Sequence, residues 1–346
     1  MYSNIGYFSM VKMADNQQCT TDRFFCLRKL ILTRSTIMTL EQILDDIRSD
    51  RVKKVIFDSD TYNEMDDQYA LAYAFGCNKI EILGLTAALF HNDRSNSPAE
   101  GMEKSYHEIA HVLEVTGHDY PYFRGSPTPV NDLPELTYVD NPASDFIIKS
   151  AMEADETIYV LASGAITNIA CAILKEPAIK DKICVIWIGG QCLTAEGACE
   201  FNMEGDYRGA QVVMNSGVPF VLLPAFGGNK GGGTIKLQAR PKHLDMLKGD
   251  SAVSVFFRET LPIEFFRSDY PYGTPNWLRI LWDIGAPGVL SVPDAFRLSI
   301  IPAPVLTDEK KYAFDATRHK IIYMEDVDAE VVLCDAFSCI NALSGE

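Results

Sequence analysis

The sequence has little positive charge. Its 346 residues include 31 Lys and Arg against 47 Asp and Glu, which gives a formal net charge of −16 at pH 7. Proteins bind nucleic acids through clustered Lys and Arg side chains, and a surface this acidic would repel phosphate groups. The charge balance therefore argues against a nucleic-acid partner. Hydrophobic residues make up 47% of the chain, so we expect a large core instead of a disordered chain.

Long apolar segments and paired cysteines are also missing. The longest apolar runs, such as residues 158–162 and 218–223, are too short to cross a bilayer. The nine Cys residues include no C-x-x-C pair, so we interpret them as reduced and structural. Residues 1–36 lack the sustained apolar stretch and the small-residue cleavage site of a secretory signal. We therefore expect a cytoplasmic protein without a membrane partner.

The pattern of the chain changes near Met38. Residues 1–37 have no clear period and are mildly basic, and we predict that they form a poorly ordered N-terminal extension. Thr39 is followed three residues later by Gln42, which is a capping box and predicts the beginning of a helix. We therefore predict one compact domain over residues 38–346.

From this point apolar strand patterns alternate with helical patterns. The predicted strands are apolar on both faces, as expected of a parallel sheet that helices cover on both sides. The sequence therefore predicts a single α/β domain with a mostly parallel central sheet flanked by helices. The strands are predicted at residues 54–58, 80–87, 158–162, 183–188 and 218–223, and the helices at residues 66–75, 100–116, 144–152, 167–175 and 208–215.

Five acidic residues follow the first predicted strand within ten positions: Asp58, Asp60, Glu64, Asp66 and Asp67. The carboxyl ends of the strands are where open α/β sheets bind ligands. Like charges packed together there are unfavourable unless a cation neutralises them, and hard oxygen ligands favour Ca²⁺ or Mg²⁺. A solvated acidic turn at a helix N-terminus is the simpler alternative, but it needs only one of these aspartates.

Two enzyme families place aspartates after a first strand. In haloacid-dehalogenase-type phosphatases, which the start of this cluster resembles, Asp58 would attack a phosphate and Asp60 would act as acid and base, with Mg²⁺. That family also needs a later Lys and a distal acidic pair after strands, whereas the later strands here end in Ser163-Gly164 and Gly189-Gly190. The phosphatase alternative also leaves Asp66 and Asp67 unexplained.

The inosine–uridine-preferring nucleoside hydrolase family gives a closer resemblance, over about residues 53–299. Each matching segment is a weak signal alone, and their common order makes the resemblance specific. In chain order the segments are Asp58-x-Asp60 with Asp66-Asp67, Gly84-Leu85-Thr86 with Asn92, Tyr122-Phe123-Arg124-Gly125 with Pro127 and Pro129, Ser163-Gly164-Ala165-Ile166-Thr167-Asn168-Ile169-Ala170, Ile188-Gly189-Gly190, Glu200-Phe201-Asn202 with Asp206, and Trp282-Asp283.

The resemblance implies a calcium enzyme that hydrolyses the N-glycosidic bond of ribonucleosides to free base and ribose. Asp60 and Asp67 would bind Ca²⁺ through their carboxylates, the Ser163 backbone carbonyl would add a ligand, and Asp283 would complete the site. Asp60 would also be the general base for a metal-bound water molecule. Asp58 would support the turn through hydrogen bonds.

The resemblance also implies a ribose-binding set. Asp66 and Asn202 would bind the ribose hydroxyls, with Glu200 at the 5′-hydroxyl end and Asn92 nearby. The family has an Asn ahead of its E-F-N motif that finds no clear match, and Thr194 is the nearest polar candidate. Binding energy on the ribose can then distort it toward an oxocarbenium-like transition state.

Two departures from the family pattern bear on the substrate. Trp282 stands where many members have a His that protonates the leaving base. A Trp at this position resembles the purine-preferring branch, in which an aromatic ring stacks on the base. We therefore expect a purine-leaning enzyme, with His91 as the candidate for protonating the base. The turn at residues 61–65 has five residues where the usual family pattern has three, so we expect the loop to bulge and Tyr62 or Asn63 to enter the pocket.

The same resemblance implies a homodimer or homotetramer. A catalytically silent nucleoside- or sugar-binding relative is an alternative, because the loop is longer and the His is missing.

Overall fold

The computed structural model describes residues 38–134, 137–227, 232–265 and 272–345. The predicted extension at residues 1–37 lies outside the described residues. The predicted capping box is present: Thr39 Oγ1 accepts a hydrogen bond from the Gln42 backbone N–H, and Gln42 Oε1 accepts one from the Thr39 N–H. The first described helix therefore begins at the position that the sequence predicts.

The described residues form a central sheet of eight strands in the order β3-β2-β1-β4-β5-β6-β12-β9. Neighbours from β3 to β12 are parallel, and β9 is antiparallel to β12. This confirms the predicted α/β fold with a mostly parallel sheet. The strands are β1 (Lys53–Ser59), β2 (Ile80–Ala87), β3 (Tyr122–Arg124), β4 (Ile158–Ala162), β5 (Ile183–Ile188), β6 (Phe220–Leu223), β9 (Phe296–Pro302) and β12 (Lys320–Val327).

Helices cover both faces of the sheet. Val55 and Phe57 of β1 pack into one core, and Ile56 between them packs into the other, so the two-residue period of the strand buries apolar side chains on both sides. The α-helices are α1 (Leu40–Arg48), α2 (Asp66–Gly76), α3 (Pro98–Thr116), α4 (Pro142–Glu153), α5 (Thr167–Lys175), α6 (Phe201–Gly205), α7 (Tyr207–Ser216), α8 (Pro241–Leu244), α9 (Ala252–Val255), α10 (Leu261–Glu264), α11 (Gly285–Ser291) and α12 (Ala329–Ala342).

Two short antiparallel strand pairs lie outside the sheet, β7 (Gln238–Ala239) with β8 (Arg279–Ile280) and β10 (Val305–Leu306) with β11 (Tyr312–Ala313). The first pair helps to position the site. Immediately after β8 the Leu281 N–H donates to the Leu237 carbonyl at 2.8 Å, and a 3-10 turn follows at Trp282–Ile284. This turn packs against α2 and places Asp283 beside the residues that follow β1.

Candidate functional site

Three buried carboxylates meet where β1 leads into α2. The carboxylate oxygens of Asp66, Asp67 and Asp283 lie within 4.8 Å of one another. Asp66 and Asp67 occupy the first turn of α2, where the positive end of the helix dipole favours negative charge. The dipole alone does not neutralise three carboxylates, so the group has the character of a cation site.

Several carboxylate oxygens beside this group have no hydrogen-bond donor among the described residues. They are Asp60 Oδ1, Asp67 Oδ2 and Asp58 Oδ2, all buried. The other Asp67 oxygen accepts hydrogen bonds from Ser59 Oγ at 2.6 Å and from Ser163 Oγ at 2.9 Å. Because buried polar atoms are almost always partnered, these oxygens require another neutralising group. An all-oxygen donor set of this kind suits a hard divalent cation.

The charges in this group raise one another's pKa values. Burial raises the pKa of Asp67 to about 6, and hydrogen bonds from two serines partly oppose this rise. Burial and the nearby Glu64 raise the pKa of Asp66 to about 8. Burial and the neighbouring aspartates raise the pKa values of Asp60 and Asp283 well above their usual range. A bound cation would reverse this effect by stabilising the ionised forms.

The observed carboxylate group shares two members with the predicted metal set. The sequence predicts Asp60, Asp67, Ser163 and Asp283, and the group contains Asp67 and Asp283 together with Asp66. Asp66 was assigned to the ribose alone, and the structure places it in the carboxylate group as well. The Ser163 carbonyl already accepts a hydrogen bond from Asn202 Nδ2 at 2.9 Å, which leaves it one lone pair.

Asp60 lies immediately beside the group, against Gly164. A Cβ atom at position 164 would come within 2.9 Å of both Asp60 Cβ and Asp60 Cγ. Any larger residue there would displace the Asp60 carboxylate, so the close packing explains a glycine after β4. Asp60 is thus held at the edge of the group with one oxygen unpartnered.

Asp58 occupies the supporting position that the sequence predicts. Its Oδ1 accepts hydrogen bonds from Thr86 Oγ1 at 2.5 Å and from Asn168 Nδ2 at 2.7 Å. Asn168 also donates to the Ala87 carbonyl and accepts from the Ser126 N–H. The side chain of Asn168 therefore ties the ends of neighbouring strands together and has a structural role.

A cavity of about 360 Å³ opens onto the carboxylate group. It brings together most of the predicted site residues with several that the sequence did not single out. Its lining residues are Asn63, Glu64, Asp66, Asn92, Asp93, Ser163, Ile188, Glu200, Phe201, Asn202, Ala225, Phe226, Trp282 and Asp283. The lining combines acidic side chains with three aromatic rings, a combination suited to a ligand with a polar and a flat apolar part.

The Glu200-Phe201-Asn202 segment shapes the wall of this cavity. Glu200 caps α6 by accepting hydrogen bonds from the Asn202 and Met203 N–H groups, both at 2.8 Å, and it also accepts from the Gly190 N–H. Asn202 Nδ2 donates to the Ser163 and Ile188 carbonyls, both at 2.9 Å. The amide nitrogen of Asn202 therefore joins the ends of two strands, and its carbonyl oxygen is the atom left for a ligand.

Four predicted site residues are not among those that line the cavity: Asp60, Asp67, His91 and Thr194. Asp60 and Asp67 belong to the buried carboxylates beside it. Thr194 is exposed, and its hydroxyl contacts the Cys192 sulfur at 3.4 Å. His91 is exposed and lines a neighbouring cavity of about 690 Å³ instead. Glu200 and Asn202 line both cavities and form the wall between them. The substrate-binding role of Thr194 and the catalytic role of His91 therefore stay predictions.

Among the lining residues, Asn63 was one of two candidates predicted from the sequence, whereas Phe226 was not predicted. Asn63 comes from the lengthened turn after β1 and lines the cavity, and Tyr62 does not. The Phe226 ring lies 5.1 Å from the Trp282 ring, centroid to centroid, and adds to the aromatic lining. Its only signal in the sequence is an aromatic residue beside a glycine-rich stretch, which is not specific.

A second group of metal-type side chains lies between α8 and α12. Ligand atoms of His243 on α8 and of Glu330 and Cys334 on α12 lie within 4.8 Å of one another. However, His243 Nδ1 accepts a hydrogen bond from the Arg240 N–H, so a neutral imidazole carries its proton on Nε2, the atom facing Glu330. Metal-bound histidines use the opposite arrangement and donate from the second nitrogen. Lys242 also pairs with Glu330 at 2.6 Å, so this group is already neutralised.

None of the helices in the described parts of the chain is long and apolar enough to span a membrane.

Comparisons with known proteins converge on one family. A family model described as inosine-uridine preferring nucleoside hydrolase matches residues 55–328. The chain is 27% identical over 184 residues to probable uridine nucleosidase 1 of Oryza sativa subsp. japonica, covering 47% of this chain and 56% of that protein. It is 27% identical over 194 residues to the pyrimidine-specific ribonucleoside hydrolase RihB of Escherichia coli strain SE11, covering 49% and 59%. The matches thus span little more than half the length of these curated relatives.

Solved structures show the same fold over a longer span. A purine-preferring ribonucleoside hydrolase from Gardnerella vaginalis superposes with a TM-score of 0.66 and 20% identity, covering 84% of this chain and 99% of that one. At this level of identity the similarity concerns the fold alone.

Proposed function

Because the chain belongs to the inosine-uridine preferring nucleoside hydrolase family, we propose that it hydrolyses the N-glycosidic bond of ribonucleosides to a free base and ribose. The observation that supports this most strongly is the buried carboxylate group of Asp66, Asp67 and Asp283, with unpartnered oxygens beside it, next to a cavity of about 360 Å³. Aromatic rings also line this cavity. A nucleoside has the matching combination of a polar sugar and a flat base.

The residues present fit a calcium ion. The candidate donors are all oxygens: the carboxylates of Asp60, Asp66, Asp67 and Asp283, and the free lone pair of the Ser163 carbonyl. Ca²⁺ takes six to eight oxygen ligands and tolerates irregular geometry, whereas Mg²⁺ demands a near-ideal octahedron. When bound, the cation supplies positive charge that lowers the pKa of a coordinated water molecule.

Asp60 would act as the general base. Its Oδ1 is buried and receives no donor from the described residues, so it is available to accept a proton from the water that attacks the anomeric carbon. Asp66 and the carbonyl oxygen of Asn202 would bind ribose hydroxyls, because both line the cavity next to the carboxylate group. Glu200 and Asn92 would border the remaining sugar hydroxyls.

The aromatic residues of the cavity lining would bind the base. Trp282 and Phe226 line the cavity together, and stacking of a base on an aromatic ring contributes on the order of 1–3 kcal/mol. The larger ring system of a purine gains more from this surface, which supports a purine-leaning enzyme. None of the described residues lining this cavity is a histidine, so a proton for the leaving base would come from solvent.

The test is release of reducing sugar from inosine, guanosine, uridine and cytidine, with Ca²⁺ and with a chelator. We expect release that requires the cation, that Asp60→Ala abolishes, and that is faster for the purine nucleosides. Equal or faster release from uridine would contradict the purine preference while leaving the hydrolase intact.

Failure of this test has two informative forms. A silent nucleoside- or sugar-binding relative would show ribose-dependent thermal stabilisation in Ca²⁺ without turnover. Activity on a generic phosphate ester with Mg²⁺ would restore the phosphatase alternative, which the family match otherwise argues against.

We also propose a cytoplasmic homodimer or homotetramer. Free cysteines throughout the described residues suit a reducing compartment, and self-association follows from the family resemblance. Sedimentation velocity of the purified chain tests the second point, because a monomer at micromolar concentration would contradict it.

A further inference from the structure

The turn after β1 is longer than the family pattern and has an unusual backbone. Within it, Tyr62 has a φ of 93°, which is rare for a residue with a side chain and persists only where surrounding contacts hold it. Two contacts do so here: the Tyr62 ring meets the edge of Phe265 at 5.9 Å between centroids, and the Arg94 guanidinium lies 5.6 Å from the Tyr62 ring. The conformation therefore presents the next residue, Asn63, in a fixed direction.

Asn63 stands in a chain of hydrogen bonds that ends at Asp60. The Arg94 N–H donates to Asn92 Oδ1 at 2.9 Å, and Asn92 Nδ2 donates to Asn63 Oδ1 at 2.6 Å. Asn63 Nδ2 then donates to Asp60 Oδ2 at 3.2 Å, and the Asn63 backbone N–H donates to the Asp60 carbonyl at 2.9 Å. Each donor in this series of hydrogen bonds points toward Asp60, so all of the bonds run in the same direction.

This chain of hydrogen bonds distinguishes the two oxygens of the Asp60 carboxylate. Asn63 occupies Oδ2, while Oδ1 is buried and unpartnered among the described residues. Asp60 also packs closely against Gly164, because a Cβ at position 164 would come within 2.9 Å of Asp60 Cγ. Asp60 therefore contacts both Asn63 and the turn after β4.

We propose that Asn63, supplied by the lengthened turn, is a positioning residue that holds Asp60 so that Oδ1 is directed to the cation and its water. This inference rests on the proposed function for its role in catalysis, but the effect on the cation site does not depend on any substrate. Partners that orient a ligand of a metal typically contribute about 10–100-fold to metal affinity or activity.

The test compares Asn63→Ala, Asn63→Asp and a matched control, Asn96→Ala. Asn96 is exposed on the same loop as Asn92 and bonds only to Glu100 among the described residues. Three quantities are measured: Ca²⁺ affinity by titration calorimetry, kcat and KM on inosine, and the melting temperature with chelator.

We expect Asn63→Ala to weaken Ca²⁺ binding and to lower kcat, each by about tenfold, with little change in KM or in the chelated melting temperature. Asn63→Asp should be worse, because it places a second negative charge against Asp60. Asn96→Ala should match the wild type. The two substitutions should not be additive for Ca²⁺ affinity: Asn92→Ala added to Asn63→Ala should weaken Ca²⁺ binding little further, since both act on Asp60 through one chain of hydrogen bonds.

Two results would overturn the proposal. One is wild-type Ca²⁺ affinity and kcat in Asn63→Ala; the other is an effect confined to melting temperature, which would make Asn63 merely structural. If the wild type releases no sugar, the proposed function fails and the Ca²⁺ arm alone decides the role of Asn63. If the wild type binds no Ca²⁺, the positioning role fails together with the cation site.

Discussion

Asp67 and Asp206 are almost equally buried, with 1% and 0% of their surfaces exposed, but their oxygens have different partners. Asp206 Oδ2 accepts from the Val130 N–H and the Thr167 hydroxyl, and its Oδ1 accepts from the Asn131 and Gly209 N–H groups. Both Asp67 hydrogen bonds fall on one oxygen, and the other has none.

The difference separates a carboxylate that the protein satisfies fully from one that it leaves partly open. Burial raises the pKa of each group, so neither burial nor a perturbed pKa separates them. The pairing of each oxygen does. Asp206 replaces its lost hydration with four donors and joins α7 to the segment around Val130. Asp67 lacks that compensation, and its membership of the carboxylate group marks its open oxygen as one that a cation would bind. Asp58 also has one open oxygen, but it lies outside that group, so pairing and proximity to other carboxylates are both needed.

The largest expected effect comes from Asp67→Asn, which removes one charge from the unsatisfied group. We expect sugar release to fall by about 10³-fold, equivalent to ~4 kcal/mol of transition-state stabilisation. The fold should persist, because the change relieves repulsion among buried carboxylates. Steady-state kinetics with circular dichroism checks both statements, and activity within tenfold of the wild type would contradict the assignment.

The converse variant, Asp206→Asn, should affect stability instead. Its amide group would place N–H donors against backbone N–H groups, and we expect the free energy of unfolding to fall by about 3 kcal/mol. Activity per folded molecule should stay within a few-fold of the wild type. Urea denaturation measures the first quantity.

The control for Asp206→Asn is Asp140→Asn. Asp140 pairs with Lys175 but its side chain is 75% exposed, so we expect less than about 1 kcal/mol. Equal losses in the two variants would show that the satisfied carboxylate has no special structural role.

The unsatisfied group should also make stability depend on pH when the cation is removed. Folding raises the pKa of Asp67 from 3.8 to about 6 and that of Asp66 from 3.8 to about 8. Between pH 4 and 8 the folded state therefore holds more protons than the unfolded state, and the free energy of unfolding falls as pH rises. The chelated protein should melt several degrees lower at pH 8 than at pH 5.

Calcium should flatten this dependence, because the cation stabilises the ionised carboxylates of the folded state. Melting curves at four pH values, with Ca²⁺ and with chelator, measure the contrast. Parallel curves under the two conditions would count against a cation at Asp66 and Asp67.

The smallest effect is expected from changes to the aromatic lining of the cavity, because they alter neither Asp67 nor Asp206. Trp282→Ala should raise KM for inosine about tenfold, in line with the 1–3 kcal/mol of base stacking, and should affect uridine less. Phe314→Ala is the control, since Phe314 is 66% exposed and does not line the cavity. An equal rise in KM for both nucleosides would argue against Trp282 as a platform for the purine ring.

The sequence predicts the features that depend on regular patterns. Apolar strands alternating with helices predict the parallel sheet, and aspartates at the end of the first strand predict a cluster at its carboxyl edge. Both are observed, because strand period and strand polarity fix where those side chains emerge. The antiparallel strand β9 was not predicted, nor were β12 and α12 after it.

Features set by irregular backbone could not be predicted in the same way. The positive φ of Tyr62 lies in the turn between Asp60 and Asp66, and no periodic pattern encodes it. Thr194 and His91 do not line the cavity for a similar reason: each lies in a loop whose path depends on tertiary contacts. Proximity in sequence to a motif did not place either side chain in the cavity.

The most direct test of the cation site at Asp67 is a calorimetric Ca²⁺ titration of three chains: the wild type, Asp67→Asn and Asp206→Asn. We expect one Ca²⁺ per chain in the wild type, and the same stoichiometry with similar affinity in folded Asp206→Asn. In Asp67→Asn we expect the Ca²⁺ affinity to fall by at least about 100-fold. Unchanged Ca²⁺ affinity in Asp67→Asn would contradict it, as would a selective loss in Asp206→Asn, because unsatisfied oxygens would then not mark the cation site.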